Sequence, residues 1–111
     1  MRYLCLAYGD EKDWNALSKG ERHRLLAQDE VIRKRGALVA AVEPKGAVVR
    51  AWDGKPTISD GPFARSPVPL AGFSVIEAES VEEVVRLVAG TPCARARGAI
   101  EIRAIRDIGR Q

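Results

Sequence analysis

The chain has 111 residues, 46% of them hydrophobic and 30% charged. That is enough apolar material for one core, which excludes a disordered chain, and at roughly 150 residues per domain it leaves no room for a second domain. The 18 Lys plus Arg exceed the 15 Asp plus Glu by three, and all of that excess lies in residues 95–111, with five arginines against two acids, so residues 1–94 balance at 13 against 13.

Arg2 to Tyr8 is a short aromatic and aliphatic run ended by Gly9-Asp10, too short for a helix, and it reads as the first strand. It is far below the ~18 residues of a membrane span and no small-residue cleavage signature follows it, so a soluble cytoplasmic protein is expected. Asp13 to Leu17 is a turn or an extension of the helix that follows. Ser18-Lys19-Gly20-Glu21 fits a capping box, in which the serine hydroxyl accepts the N–H three residues on and the glutamate reaches back to the serine N–H. The box predicts a helix over about Lys19 to Arg35, stopped by Gly36. Gly36 to Val42 is the next strand, broken by Pro44-Lys45-Gly46.

Ala47 to Trp52 and Thr57 to Ser59 flank Asp53-Gly54, a dipeptide suited to a tight hairpin, and should pair antiparallel. Asp60 to Pro69 is a loop punctuated by three prolines, and Gly72 to Glu77 is a strand leaving it. A second S-x-x-E box at Ser80 starts a helix whose Val81, Val84, Val85 and Val88 share one face, with Gly90, Thr91 and Pro92 ending it. Ala99 to Ile105 alternates, with Ile100 and Ile102 on one side and Glu101 and Arg103 on the other, as in a strand with one buried face. Residues 1–105 form the domain, and 106–111 form a basic tail.

This order implies an α+β fold of the ferredoxin-like split β-α-β plan, with both helices on one face of an antiparallel sheet. The opposite face carries apolar side chains from several strands and should be covered by a second copy, giving a homodimer. Cys5 reads as a small buried hydrophobe and Cys93 as a bystander in a polar loop, and the pair is not expected to form a disulfide. A single histidine, His23, leaves a zinc site or a catalytic triad almost nothing to be built from, so neither a metal nor a cofactor is expected.

Thr57-Ile58-Ser59-Asp60-Gly61-Pro62-Phe63-Ala64, then Leu70-Ala71-Gly72-Phe73, the capped helix and the Glu101-Ile102-Arg103 strand resemble the YCII-related, DGPF-domain family. The resemblance reaches upstream to Tyr3-Leu4-Cys5-Leu6-Ala7-Tyr8-Gly9-Asp10 and Arg35-Gly36-Ala37-Leu38-Val39, and so covers nearly the whole chain. It implies a dimeric α/β barrel, whose two sheets pack face to face around a cleft, and a functional link to a sigma factor. Some relatives look like small-molecule enzymes with a His–Asp pair. Their histidine falls here on Leu25, and Ala64-Arg65-Ser66-Pro67-Val68-Pro69-Leu70 replaces the acidic and lysine residues usual after the motif. The expectation is therefore a small-molecule-binding or accessory protein without that catalytic histidine.

The alternative is an enzyme, of isomerase, lyase or hydrolase type, in which Asp60 is the acid or base in the barrel cleft and Arg65 anchors an anion. Turn chemistry competes for Asp60, Gly61 and Pro62, because an aspartate in such a loop also accepts turn N–H groups. Phe63 is a plug for the cleft or for a dimer contact. His23 lies far round the helix from Leu25, Leu26 and Ile32, the predicted buried side, and should face solvent. Asp29 lies close to Leu25 on the apolar stripe and needs a partner, for which Arg22 and Arg33 have suitable helical spacing. The arginines could suggest nucleic acid, but the candidate strands offer Val48-Val49-Arg50 and Ile100-Glu101-Ile102 in place of stacking aromatics, so nucleic acid is not the expected partner. Trp14 and Trp52 are expected in the core or an interface.

Overall fold

The computed structural model describes residues 1–106, 108 and 109; of the tail, Asp107, Arg110 and Gln111 lie outside the described residues. The elements in chain order are β1 (Arg2–Tyr8), α1 (Glu11–Asn15), α2 (Lys19–Lys34), β2 (Leu38–Ala41), β3 (Ala47–Arg50), β4 (Thr57–Asp60), β5 (Leu70–Glu77), α3 (Val81–Val88), α4 (Pro92–Arg95) and β6 (Ala99–Ala104).

Local chemistry accounts for most of these boundaries. Asp10 caps α1 by accepting the Lys12 N–H at 3.1 Å. Both halves of the Ser18 box are formed, with Ser18 Oγ accepting from Glu21 N and Glu21 Oε1 accepting from Ser18 N, each at 3.1 Å. Gly36 ends α2 at φ +90°, a left-handed conformation that glycine adopts without a Cβ penalty. The second box is only half formed. Ser80 Oγ accepts from Glu83 N, but Glu83 Oε1 takes the Glu79 N–H at 2.8 Å, one residue earlier than the motif implies.

The four-stranded sheet has the order β2-β5-β1-β6, and each neighbouring pair is antiparallel. This is the split β-α-β plan, with β1 and β2 parallel to each other on either side of β5. Register places Tyr3 opposite Ile76 and Ala104, and Cys5 opposite Ser74 and Ile102. Because side chains alternate across a strand, Tyr3, Cys5, Ile76 and Ile102 share the helix side. There they pack with Ile32 of α2 and Val84 and Val88 of α3, forming one core. Ile76 and Val84 are fully buried, each stabilising the fold by roughly 1.5–3 kcal/mol. Gln28 ties the two long helices together by donating to the Leu87 carbonyl at 2.7 Å. Leu4, Leu6, Leu38, Phe73 and Val75 project from the other face of the sheet, which none of the helices covers.

Several expectations are corrected by packing. Leu26, Val81 and Val85 are exposed, because the stripe of α2 that reaches the sheet narrows to Leu25, Asp29 and Ile32, and that of α3 narrows to Val84, Leu87 and Val88. Residues 92–95, read as loop, form the short helix α4. Pro92 occupies its first turn, where the missing N–H costs nothing. Strands β3 and β4 pair as expected but make their own two-stranded sheet, and the turn between them is longer than a two-residue one. Gly54, at φ +87°, donates to the Ala51 carbonyl, and the Asp53 carboxylate accepts the Lys55 N–H. This hairpin projects from the body as an arm. Trp52, at its tip, is exposed and belongs to no core among the described residues.

Glycine requirements differ sharply across the fold. A Cβ on Gly98 would lie 2.0 Å from the Tyr8 carbonyl oxygen and 2.6 Å from that of Cys93, both backbone atoms. Gly98→Ala is therefore expected to lower stability by about 3 kcal/mol or more in urea unfolding. Gly46→Ala, where a Cβ meets nothing within 4 Å, should stay within about 0.5 kcal/mol of the parent protein.

Candidate functional site

A recess of about 210 Å³ opens between the helix layer and one end of the sheet. Its floor is formed by Cys5 and Ala7 of β1, Gly72 and Ser74 of β5 and Ile100 of β6. Gly72 is required there, because a Cβ would come within 2.6 Å of the Ala40 carbonyl oxygen on the neighbouring strand. One wall is the Asp29, Ile32 and Arg33 stretch of α2, and the facing wall runs from Val88 through Thr91 and Pro92 to Cys93. Thr91 is buried, and its hydroxyl donates back to the Val88 carbonyl at 2.6 Å, fixing the bend between α3 and α4.

Asp29 is the acidic group of this recess. It is half-buried, and burial pushes its carboxyl above the ordinary aspartate value, with the nearby Arg33 guanidinium opposing the shift. Among the described residues Asp29 makes no ion pair, because Arg33 bonds Glu30 at 3.0 Å instead. The partner expected from helical spacing thus serves a different acid and reaches Asp29 only through space.

Cys93, read from sequence as a bystander, belongs to the wall facing Asp29. Its thiol is pushed up by burial and further by the Asp29 charge. The Cys5 thiol is also raised by burial, with a hydrogen bond to Ser74 opposing. Both cysteines are free. Raised thiol values keep the sulfurs protonated at neutral pH, where they pack and donate weakly without acting as poised nucleophiles. The sequence signal for Cys93 is Pro92 directly after Thr91, a helix-start pattern that puts Cys93 in a first helical turn and not in a loop.

The other candidates lie elsewhere. Asp60 ends β4 in the arm and is exposed. The Gly61 N–H of this turn donates to the Gly46 carbonyl at 2.8 Å, and the Asp60 carboxylate holds no hydrogen bond among the described residues. The Gly61–Pro62 peptide is cis. Phe63 is exposed, with the Arg50 guanidinium 5.3 Å from its ring centroid. Arg65 is exposed in the following loop. None of Asp60, Gly61, Pro62, Phe63 and Arg65 lines the recess, and Asp29 does. His23 is exposed, as its helical angle predicts, and Leu25 stands half-buried one turn before Asp29. Among the described residues no cluster of three or more His, Cys, Asp or Glu could hold a metal ion, and no helix is long and apolar enough to cross a membrane.

The model of the YCII-related domain matches residues 1–109. The chain belongs to the YCII-related family. An uncharacterised protein of Rhizobium meliloti (strain 1021) is 32% identical over 93 residues, covering 77% of this YCII-related chain and 75% of that protein. The chain is also similar to the solved structure of 5-chloro-2-hydroxyhydroquinone dehydrochlorinase (TftG) from Burkholderia phenoliruptrix AC1100 in complex with 2,5-dihydroxybenzoquinone. The identity is 18%, the coverage 96% of this chain and 94% of that one, and the TM-score 0.49.

The raised value of Asp29 has a definite consequence for stability. A carboxyl whose folded value exceeds its unfolded one (~3.9 for aspartate) binds its proton more tightly when folded. Its contribution favours folding at low pH and is lost as pH rises from the unfolded value through the folded one. Asp29→Asn is thus expected to be more stable than the parent protein at pH 7, and the difference should vanish below about pH 3, where both side chains are neutral. Urea unfolding across this range checks both the sign and the window.

Proposed function

We propose that this YCII-related protein binds a compact organic molecule in the recess beside Asp29. The observation that carries this reading is a recess of about 210 Å³ with apolar walls and one half-buried carboxyl that has no ion-pair partner among the described residues. An apolar cavity of ~150 Å³ accepts benzene, so the volume suits about one substituted ring. Asp29 supplies an acceptor for a hydroxyl or amine of the ligand, while Arg33 is occupied by Glu30, which disfavours an anionic ligand. With both thiols protonated and Leu25 in place of the family's histidine, these walls bind and orient without a nucleophile–base pair.

A catalytic reading is favoured by one observation, the free Asp60 carboxylate that the turn does not use. In that reading Asp60 is the acid or base, Arg65 the anion anchor, and Gly61, Pro62 and Phe63 the surrounding wall. Both charged groups are exposed in one protomer, so a second copy must exclude water around them before their chemistry differs from that of surface groups. Two copies joined through the open sheet face supply such an enclosure, and this pairing forms part of the proposal. A cytoplasmic location and a link to a sigma factor rest on the family likeness alone.

A thermal-shift screen of single-ring phenols, amines and carboxylates tests the binding reading. Neutral or cationic ligands should raise Tm, since a ligand at 100 times its Kd stabilises by ~2.7 kcal/mol. Asp29→Ala should abolish the shift, and Asp60→Asn should leave both the shift and the basal Tm unchanged. A screen in which only anions bind, or in which Asp29→Ala binds normally, overturns the assignment. If a bound compound is also turned over and Asp60→Asn lowers that rate by ~10²-fold with the fold intact, the catalytic reading replaces it.

A further inference from the structure

The β3–β4 arm is the least self-sufficient part of the molecule. Its strands pack chiefly on each other, in a two-stranded sheet separate from the main one, and an isolated two-stranded hairpin is marginal in water. The chain has a radius of gyration of 16.0 Å and extends 52 × 37 × 19 Å, whereas a compact domain of this length has a radius near ~13 Å. The arm also carries an unusual share of uncovered large apolar side chains. Trp52 is 92% exposed, Ile58 74%, Phe63 74% and Val49 63%. Val49 and Ile58 are direct cross-strand partners and so share one face of the arm.

We propose that this arm is a clasp that closes onto a second copy of the chain and buries Trp52, Ile58 and Val49 against it. Three features select a second copy. Residues 45–60 carry three basic and two acidic side chains, a mixed balance that gives neither a polyanion nor an acidic membrane surface much to hold. The same chain presents another uncovered apolar surface, the sheet face bearing Leu38, Phe73 and Val75, so pairing across a two-fold axis gives each copy two apolar surfaces to bury, the sheet face and the arm. The area is also of the right size. With an aromatic side chain burying about 150–250 Å², the arm offers on the order of 500 Å² per copy, a large part of the ~800 Å² per partner of a standard interface.

The proposal rests on the pairing of copies in the preceding section, and the experiment separates the two. Sedimentation equilibrium of the full chain should show a dimer, and the double substitution Trp52→Ser, Ile58→Ser should raise its Kd by ~30-fold or more, as loss of an interface tryptophan does. These side chains are exposed in the single chain, so circular dichroism should show an unchanged fold. In Trp14→Phe, where Trp52 is the only tryptophan, emission should move to shorter wavelength as concentration rises through the dimer Kd. A dimer of unchanged Kd after the double substitution, with Trp52 emission still that of a solvated indole, overturns the clasp and leaves the sheet-face pairing standing. A parent protein that stays monomeric at tens of micromolar overturns both. Emission that is already shifted and independent of concentration shows the arm folding onto its own body, and also overturns the clasp.

Discussion

Strand β1, hydrogen-bonded on both edges, is the constraint on which the rest of this molecule depends. It pairs with β5 on one side and β6 on the other, so its register fixes which side chains of three strands face the helices. A slip of one residue would exchange Tyr3 and Cys5 for Leu4 and Leu6 and invert the sheet. The core, the floor of the recess and the open apolar face are therefore three consequences of a single alternation along seven residues. The close approach of Gly98 to the Tyr8 carbonyl extends the same constraint to the end of β1, because it brings the turn after α4 against that strand.

The recess exists because two short-range effects coincide on this frame. Gly72 lacks a side chain where β5 passes Ala40, and the bend at Thr91 and Pro92 seats Cys93 in the wall with its sulfur close to Gly9 at the end of β1. Into that space α2 brings Asp29, a carboxyl on a stripe otherwise reserved for packing. Its environment, with burial raising its value and Arg33 drawn away to Glu30, is that of an acid kept ready for a hydrogen-bond donor. The same charge, added to burial, raises the Cys93 thiol, so that sulfur is not activated for covalent chemistry.

The arm belongs to a different energetic regime from the body. Its strands form from local chemistry, with Gly54 allowing the turn and Val49 pairing Ile58, but among the described residues no layer covers them. The Asp60-Gly61-Pro62-Phe63 stretch lies at the root of this arm and not in the recess. The body carries the recess and the arm carries the motif, and any chemistry shared between them depends on how two copies meet.

The sequence by itself determined the order of the strands and the two long helices, the Ser18 box, the glycine stop of α2, the antiparallel hairpin and the alternation of the last strand, because each is set by residues within a few positions of one another. It also placed His23 in solvent and Asp29 on the apolar stripe, since helical angle alone decides that. Tertiary structure decided the rest. That Leu26, Val81 and Val85 stay exposed depends on how wide a stripe each helix presents to the sheet. That Cys93 faces Asp29 depends on a four-residue helix too short to show periodicity. That Arg33 pairs with Glu30 and leaves Asp29 without an ion pair among the described residues is a competition between two acids at similar spacing. That the Gly61 N–H serves the Gly46 carbonyl, 15 positions away in sequence, depends on the pairing of β3 with β4. In each case the deciding partner is outside the local window, or the local window held two equivalent choices, and only the packed chain chose between them.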